Sequence, residues 1–250
     1  MKYIMTVFLM LLVVTIASAS GAGTSGKVIS YVVDGITFEG YFINPSPKAP
    51  LILLVHDWDG LTDYEVKRAN MLADLGYSVF AADLFGAGVR PTEVKDKRQH
   101  TGELYKDRKK MRSLLLGALK TAKSKGANVH NAVAMGYCFG GAAVLEFARS
   151  GAALIGFVTF HGGLSTPTGQ DYSKTKGKLL ILHGTADTNI TMDHFAKLAK
   201  ELEEKNVSHE MITYSGAPHA FTVFGSSRYR EDADKKSWKR FTEFLDETFN

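Results

Sequence analysis

Five short apolar runs constrain this chain more than anything else in it. They are "LILLV" (51–55), "YSVFAAD" (77–83), "NAVAMGY" (131–137), "ALIGFVTF" (153–160) and "GKLLILHGTAD" (177–187). An unbroken apolar run of this length reads as a strand covered on both faces, because a strand with one wet face alternates. Helical patterns lie between the runs. One extends from about Asp63 to Leu75 and stops at Gly76. Another covers Glu103 to Ser124, where Met111, Leu114, Leu115, Ala118, Leu119 and Ala122 keep helical spacing. "FGGAAVLEFARS" follows the third run, Thr191 to Glu204 follows the fifth, and Lys235 to Phe249 closes the chain. "HEMITYSG" reads as a last strand, and "KVISYVV" with "ITFEGYF" flank Asp34-Gly35 as a hairpin. The stretch "LFGAGVRPTEVKDKRQHTG" reads as a long polar connection, and "KDRKKMR" as a solvated helix face. Strands alternating with helices predict an α/β fold, a mainly parallel central sheet with helices on both faces. Ligands of such sheets bind beyond the carboxyl ends of the strands.

A chain of 250 residues, 45% hydrophobic and 22% charged, suits one soluble domain with a sizeable core. The formal net charge of +4 is mild and the two signs are interspersed, so nucleic acid is not expected as a partner. The N-terminus has another character. Lys2 precedes an apolar run from Ile4 to Ile16, and "ASA" at 17–19 supplies small residues for cleavage. This is the layout of a secretory signal peptide over 1–19, with the domain over 20–250. The expectation is an exported protein, periplasmic or secreted, with no stable membrane insertion once the signal is removed.

Three polar residues fall just beyond predicted strands. Cys138, the single cysteine, lies in "GYCFG" between a strand and a helix. Asp187 closes "LHGTAD", and His219 lies in "GAPHAF" after the last strand. Each alone has a plain alternative, respectively a small core residue, a loop cap and a surface turn. Together they have the order nucleophile, acid, histidine of the α/β-hydrolases. Gly136 and Gly140 flank the cysteine at −2 and +2, where a sharp strand–helix elbow needs small residues. The start of the following helix favours a thiolate and an oxyanion. A thiolate can attack a carbonyl, an imidazole can relay the proton, and a carboxylate can orient the imidazole. His161 and His183 end strands and read as structural hydrogen-bonding groups, while His56 shapes the loop before Asp57. No pair of His or Cys residues has metal-ligand spacing, and "GTSG" and "GAGV" lack the setting of a phosphate cradle. No cofactor and no metal are expected.

With these blocks in order, the chain resembles the dienelactone hydrolase family of α/β-hydrolases over roughly residues 28–249. "VHDWDGLTDY", "GYCFGG", "FHGGLSTP", "LHGTAD" and "APHAFT" carry the likeness. The resemblance implies the α/β-hydrolase fold, with Cys138 as nucleophile, Asp187 as triad acid and His219 as triad histidine. It implies that the backbone N–H groups of Phe139 and Trp58 form the oxyanion hole. It also implies that Asp57 stands where the family has a glutamate that takes the thiol proton. As a plain loop residue, Asp57 would instead cap the helix near Asp63. Val223 stands where the type enzyme grips a substrate carboxylate with arginine, and Arg90, Arg98 and Arg108 are the candidates for a second such arginine.

The expected function is hydrolysis of a small-molecule ester or lactone through a Cys–His–Asp triad and a thioester acyl-enzyme. The rival is a small-molecule-binding protein of the same fold with little or no turnover.

Overall fold

The computed structural model describes residues 25–250. The proposed signal segment lies outside the described residues. Fourteen elements follow in chain order: β1 (Lys27–Val33), β2 (Ile36–Ile43), β3 (Pro50–Val55), α1 (Asp63–Asp74), β4 (Ser78–Ala82), α2 (Val94–Lys106), α3 (Arg108–Ser124), β5 (Asn128–Tyr137), α4 (Phe139–Arg149), β6 (Gly156–Phe160), β7 (Lys178–Gly184), α5 (Met192–Glu204), β8 (His209–Tyr214) and α6 (Glu231–Phe249). The strands form one sheet in the order β1-β2-β4-β3-β5-β6-β7-β8. β1 and β2 pair antiparallel, β2 meets β4 antiparallel, and every later pairing is parallel.

The unbroken apolar runs are explained by the two faces of this sheet. Leu51, Leu53 and Val55 of β3 point into one core, with Leu114, Leu115, Ala118, Phe147 and Leu198 from α3, α4 and α5. Ile52 and Leu54 point into the other, with Ala69 and Leu72 of α1 and Phe241 and Leu245 of α6. Both faces are dry, so each residue of β3 from Leu51 onward is fully buried. Each such aliphatic side chain contributes about 1.5–3 kcal/mol of burial. At the sheet edge, Asp34 and Gly35 take positive φ (51° and 79°) and bring Val33 opposite Ile36, the two-residue hairpin that Asp-Gly predicts.

The helical reading needs correction in two places. The polar connection after β4 contains α2, and the single helix expected over Glu103–Ser124 is two, broken at Asp107. Asp107 leaves helical backbone (φ −107°, ψ 80°), and its carboxylate accepts from the Lys110 amide at 2.9 Å, capping α3. α2 buries only Thr101 and Leu104, so it shows little apolar periodicity. The last helix begins at Glu231 rather than Lys235, with Glu231, Asp232 and Asp234 in its first turn, where carboxylates suit the helix dipole.

The chain order places the site. β3 leads to β4 on one side and β5 leads to β6, β7 and β8 on the other, so the chain reverses direction across the sheet between β3 and β5. The loops after these two neighbouring strands diverge and leave a crevice at their carboxyl ends. No helix among the described residues is long and apolar enough to cross a membrane.

Candidate active site

Cys138 occupies the one residue between β5 and α4 and turns the chain there with φ 50° and ψ −111°. A side chain in this region costs on the order of 1–3 kcal/mol, and packing must hold it. The flanking glycines permit the turn. A Cβ on Gly136 would overlap the Gly140 backbone, and one on Gly140 would overlap the Val55 and His56 carbonyl oxygens. The Cys138 amide donates to the Phe160 carbonyl at 3.0 Å, which ties the elbow to β6.

The half-buried sulfur meets His219 Nε2 at 3.0 Å, and His219 Nδ1 meets Asp187 Oδ2 at 2.7 Å. The other Asp187 oxygen accepts from the Asn189 and Ile190 amides, both at 2.9 Å. Burial raises the Asp187 pKa, but the His219 hydrogen bond and these amides outweigh it and hold the carboxyl below its ordinary range. Asp187 therefore stays a carboxylate facing the imidazole. The structure thus brings together the three residues that the strand ends suggested.

Phe139 is the first residue of α4 and its N–H acts on the sulfur, lowering the thiol pKa. Neither its amide nor that of Trp58 donates to a backbone oxygen among the described residues outside regular helix and strand pairing. Trp58 lies in the turn after β3, beside β5.

Asp57 is buried beside the elbow. Burial raises the Cys138 pKa most, and the Asp57 carboxylate raises it further, so the resting sulfur is a thiol. Asp57 itself is pushed well above the carboxylate range by burial, then by Asp59 and Glu65. Asp57 does not cap α1. Thr62 does, in a capping box with Glu65, whose Oε2 accepts from the Thr62 amide and hydroxyl, both at 2.9 Å. Glu65 Oε1 accepts from the Asp57 amide at 3.4 Å, and burial lifts the Glu65 pKa to about 7. Sequence reasoning missed Glu65 as part of this site. Its signal is the Thr-x-x-Glu box in "TDYE" directly after the Asp57 loop.

The three candidate arginines are turned elsewhere or lie at the surface. Arg90 donates to the Leu61 and Val89 carbonyls and sits 3.6 Å from Asp83. Arg108 donates to the Tyr105 carbonyl at 2.9 Å and lies 3.6 Å from Glu146. Arg98 is exposed on α2, and Val223 closes a turn onto Ala220 after His219. Lys97 lies over the Trp58 ring at 5.2 Å and 3.5 Å from Asp59.

The remaining strand-end histidines are held by hydrogen bonds, as the sequence suggested. His56 Nδ1 meets the Asp57 carbonyl at 2.7 Å and its Nε2 accepts from the Leu84 amide at 3.1 Å. His183 Nε2 meets the Ile190 carbonyl at 2.8 Å, and His161 Nε2 meets the Thr222 hydroxyl at 2.8 Å.

The model of the dienelactone hydrolase family matches residues 38–249. A Salmonella typhimurium protein named "Putative carboxymethylenebutenolidase" is 24% identical, covering 92% of this chain and 90% of its own. The solved structure titled m3DLH superposes with a TM-score of 0.85 at 30% identity, covering 91% of this chain and all of the other. A dienelactone hydrolase-like promiscuous phosphotriesterase from metagenomic libraries superposes at 0.84 with 27% identity over 91% of this chain.

Proposed function

Because the chain belongs to the dienelactone hydrolase family and has the α/β-hydrolase fold, we propose that it hydrolyses an ester or lactone through Cys138, His219 and Asp187. One observation carries this reading. The sulfur, imidazole and carboxylate stand in a hydrogen-bonded line of 3.0 and 2.7 Å at the start of α4.

The thiol must first lose its proton, and burial opposes a free thiolate. Transfer to the Asp57 carboxylate creates one negative charge as it removes another, so the buried cluster keeps its net charge. The raised proton affinity of Asp57 favours that transfer. The thiolate attacks the carbonyl carbon and forms a C–S bond. The oxyanion turns toward the amides of Phe139 and Trp58. Collapse breaks the C–O bond, and the leaving oxygen takes the proton that Asp57 received from the thiol, which restores the Asp57 carboxylate. A water then gives its proton to neutral His219 Nε2 and attacks the thioester. The C–S bond breaks, the acid leaves, and the sulfur takes back the proton from His219 Nε2, which restores the thiol and the neutral imidazole. Asp187 holds the imidazole in line throughout.

The test is incubation of the protein with an activated ester, followed by mass spectrometry and turnover assays. One acyl adduct on Cys138, and no turnover in Cys138→Ala, is the expected result. An adduct on a serine, with Cys138→Ala still active, overturns the assignment.

Export is part of the proposal and rests on the charged start, the short apolar run and "ASA" at 17–19. The host's exported protein should then have the mass of a chain starting near residue 20. A mass that still includes Ile4 to Ile16 refutes this.

A further inference from the structure

Behind His219 lies a buried polar chain that the proposed chemistry does not use. His161 is fully buried, sits at φ 41° at the end of β6, and packs its ring edge-on against His219, with centroids 5.3 Å apart and planes at 65°. Phe221 and Tyr137 hold other sides of the ring, at 5.3 and 5.9 Å. Its Nε2 meets Thr222 Oγ1 at 2.8 Å, and the same oxygen meets the Tyr64 hydroxyl at 2.7 Å. Arg68 Nε donates to the Tyr64 oxygen at 3.4 Å, and its Nη2 donates to the Thr222 carbonyl at 2.9 Å and pairs with Asp234.

The donors order themselves. Arginine only donates, so the Tyr64 oxygen accepts from Arg68. The Tyr64 hydroxyl meets Thr222 Oγ1 and also neighbours the Tyr137 hydroxyl; in this order its hydrogen goes to Thr222. The Thr222 hydrogen passes on to His161 Nε2, which accepts and leaves the ring proton on Nδ1. Nδ1 has no hydrogen-bond partner among the described residues, and the main-chain acceptor that bears on the ring is its own carbonyl. Burial and the neighbouring His219 push the His161 pKa well down; Asp187 opposes this, and His183 adds to it. The ring is thus neutral and fixed in one tautomer. Thr222 also lies three residues after His219 in the same loop, so the Arg68 contact anchors that loop to α1.

We propose that Thr222 is a positioning residue for His219: its hydroxyl, supplied by Tyr64 and Arg68, locks His161 as the neutral wall against which the triad imidazole is aligned. This rests on the reading of Cys138, His219 and Asp187 as a triad. It adds a requirement that the triad alone does not state, namely that a hydroxyl three residues after the histidine sets its alignment.

Thr222→Val keeps the shape and removes the hydroxyl, while Thr222→Ser keeps the hydroxyl. On one activated ester, Thr222→Val should lower kcat by about tenfold or more with KM within about twofold, and Thr222→Ser should restore most of it. A folded Thr222→Val with parental kcat overturns the proposal, as does a loss that Thr222→Ser fails to rescue. A second readout needs no turnover. In nitrogen-15 histidine-labelled protein, ring correlations assigned with His161→Gln should show the Nδ1–H tautomer at His161, and Thr222→Val should shift its Nε2 resonance. An Nε2–H tautomer in the parent, or unchanged shifts in the variant, overturns it. If Thr222→Val does not fold, Tyr64→Phe takes its place, with the same shift expected and the same null result decisive. A protein that turns over no ester yet shows the expected tautomer refutes the triad reading and leaves the lock standing.

Discussion

The Asp57 amide donates to Oε1 of Glu65 across 3.4 Å, so the loop beside Cys138 leans on a carboxyl group that also caps α1. Two buried acids, each with its pKa raised by burial, thereby share one short segment. Their behaviour supplies the first two predictions.

Replacing Asp57 with asparagine should move two rates in opposite directions. The carboxylate raises the Cys138 pKa, so its removal should speed alkylation by iodoacetamide at pH 8 by about threefold or more. Ester kcat/KM should fall by about a hundredfold, as removal of a general base usually causes. Asp57→Glu should crowd the buried site and also lose activity. Asp57→Asn with parental ester activity would assign the residue a purely structural role.

Glu65 should make stability fall as pH rises. Its folded pKa of about 7 lies above the ordinary glutamate value, so the folded chain keeps a proton that the unfolded chain has released. The stabilising contribution is complete below the ordinary glutamate pKa and is lost as pH climbs through about 7. Urea midpoints for the parent should drop between about pH 5 and pH 8, and Glu65→Gln should lose that part of the drop. Equal slopes in parent and variant refute the assignment.

Substrates that carry a carboxylate beside the ester should gain little. Val223 offers no charge, while Arg90 and Arg108 are committed to carbonyls and acids. Carboxylated and neutral esters of similar size should differ by less than roughly tenfold in kcat/KM, about 1.4 kcal/mol. A preference of about a thousandfold would show that another cation, such as Arg98 or Lys97, reaches the substrate.

Gly140→Ala should disable the enzyme through the backbone rather than through chemistry. Its Cβ would collide with the Val55 and His56 carbonyls, neither of which is a flexible side-chain end. Forced overpacking of this kind costs about 1–3 kcal/mol or more. Thermal melts should show that loss together with lost Cys138 acylation. An intact melting point with full acylation contradicts it.

The centre of the sheet, β3 to β7, was legible because both its faces are dry there and those strands are therefore written as largely apolar runs. The Cys138, Asp187 and His219 grouping was legible because Cys138 directly follows β5, and Asp187 and His219 lie in the loops just after β7 and β8. The acidic and basic groups around the site were not. Nothing in the pattern around Arg68 and Asp234 marks them as buried, yet they are buried as a pair. Glu65 has the spacing of a common helix cap, and only the approach of the Asp57 loop gives it a second task. α2 escaped notice because a helix that buries two residues has almost no pattern to read.

The bond between Arg68 and Asp234 also sets an order of loss. Asp234 lies in the first turn of α6, and Arg68 holds the Thr222 carbonyl three residues beyond His219. Helix ends open before sheets do. Fraying of the α6 N-terminus therefore releases the grip on the His219 loop while β3 and β5 remain paired. In mild denaturant the protein should fall silent before it comes apart, and dilution should restore it without refolding of the sheet.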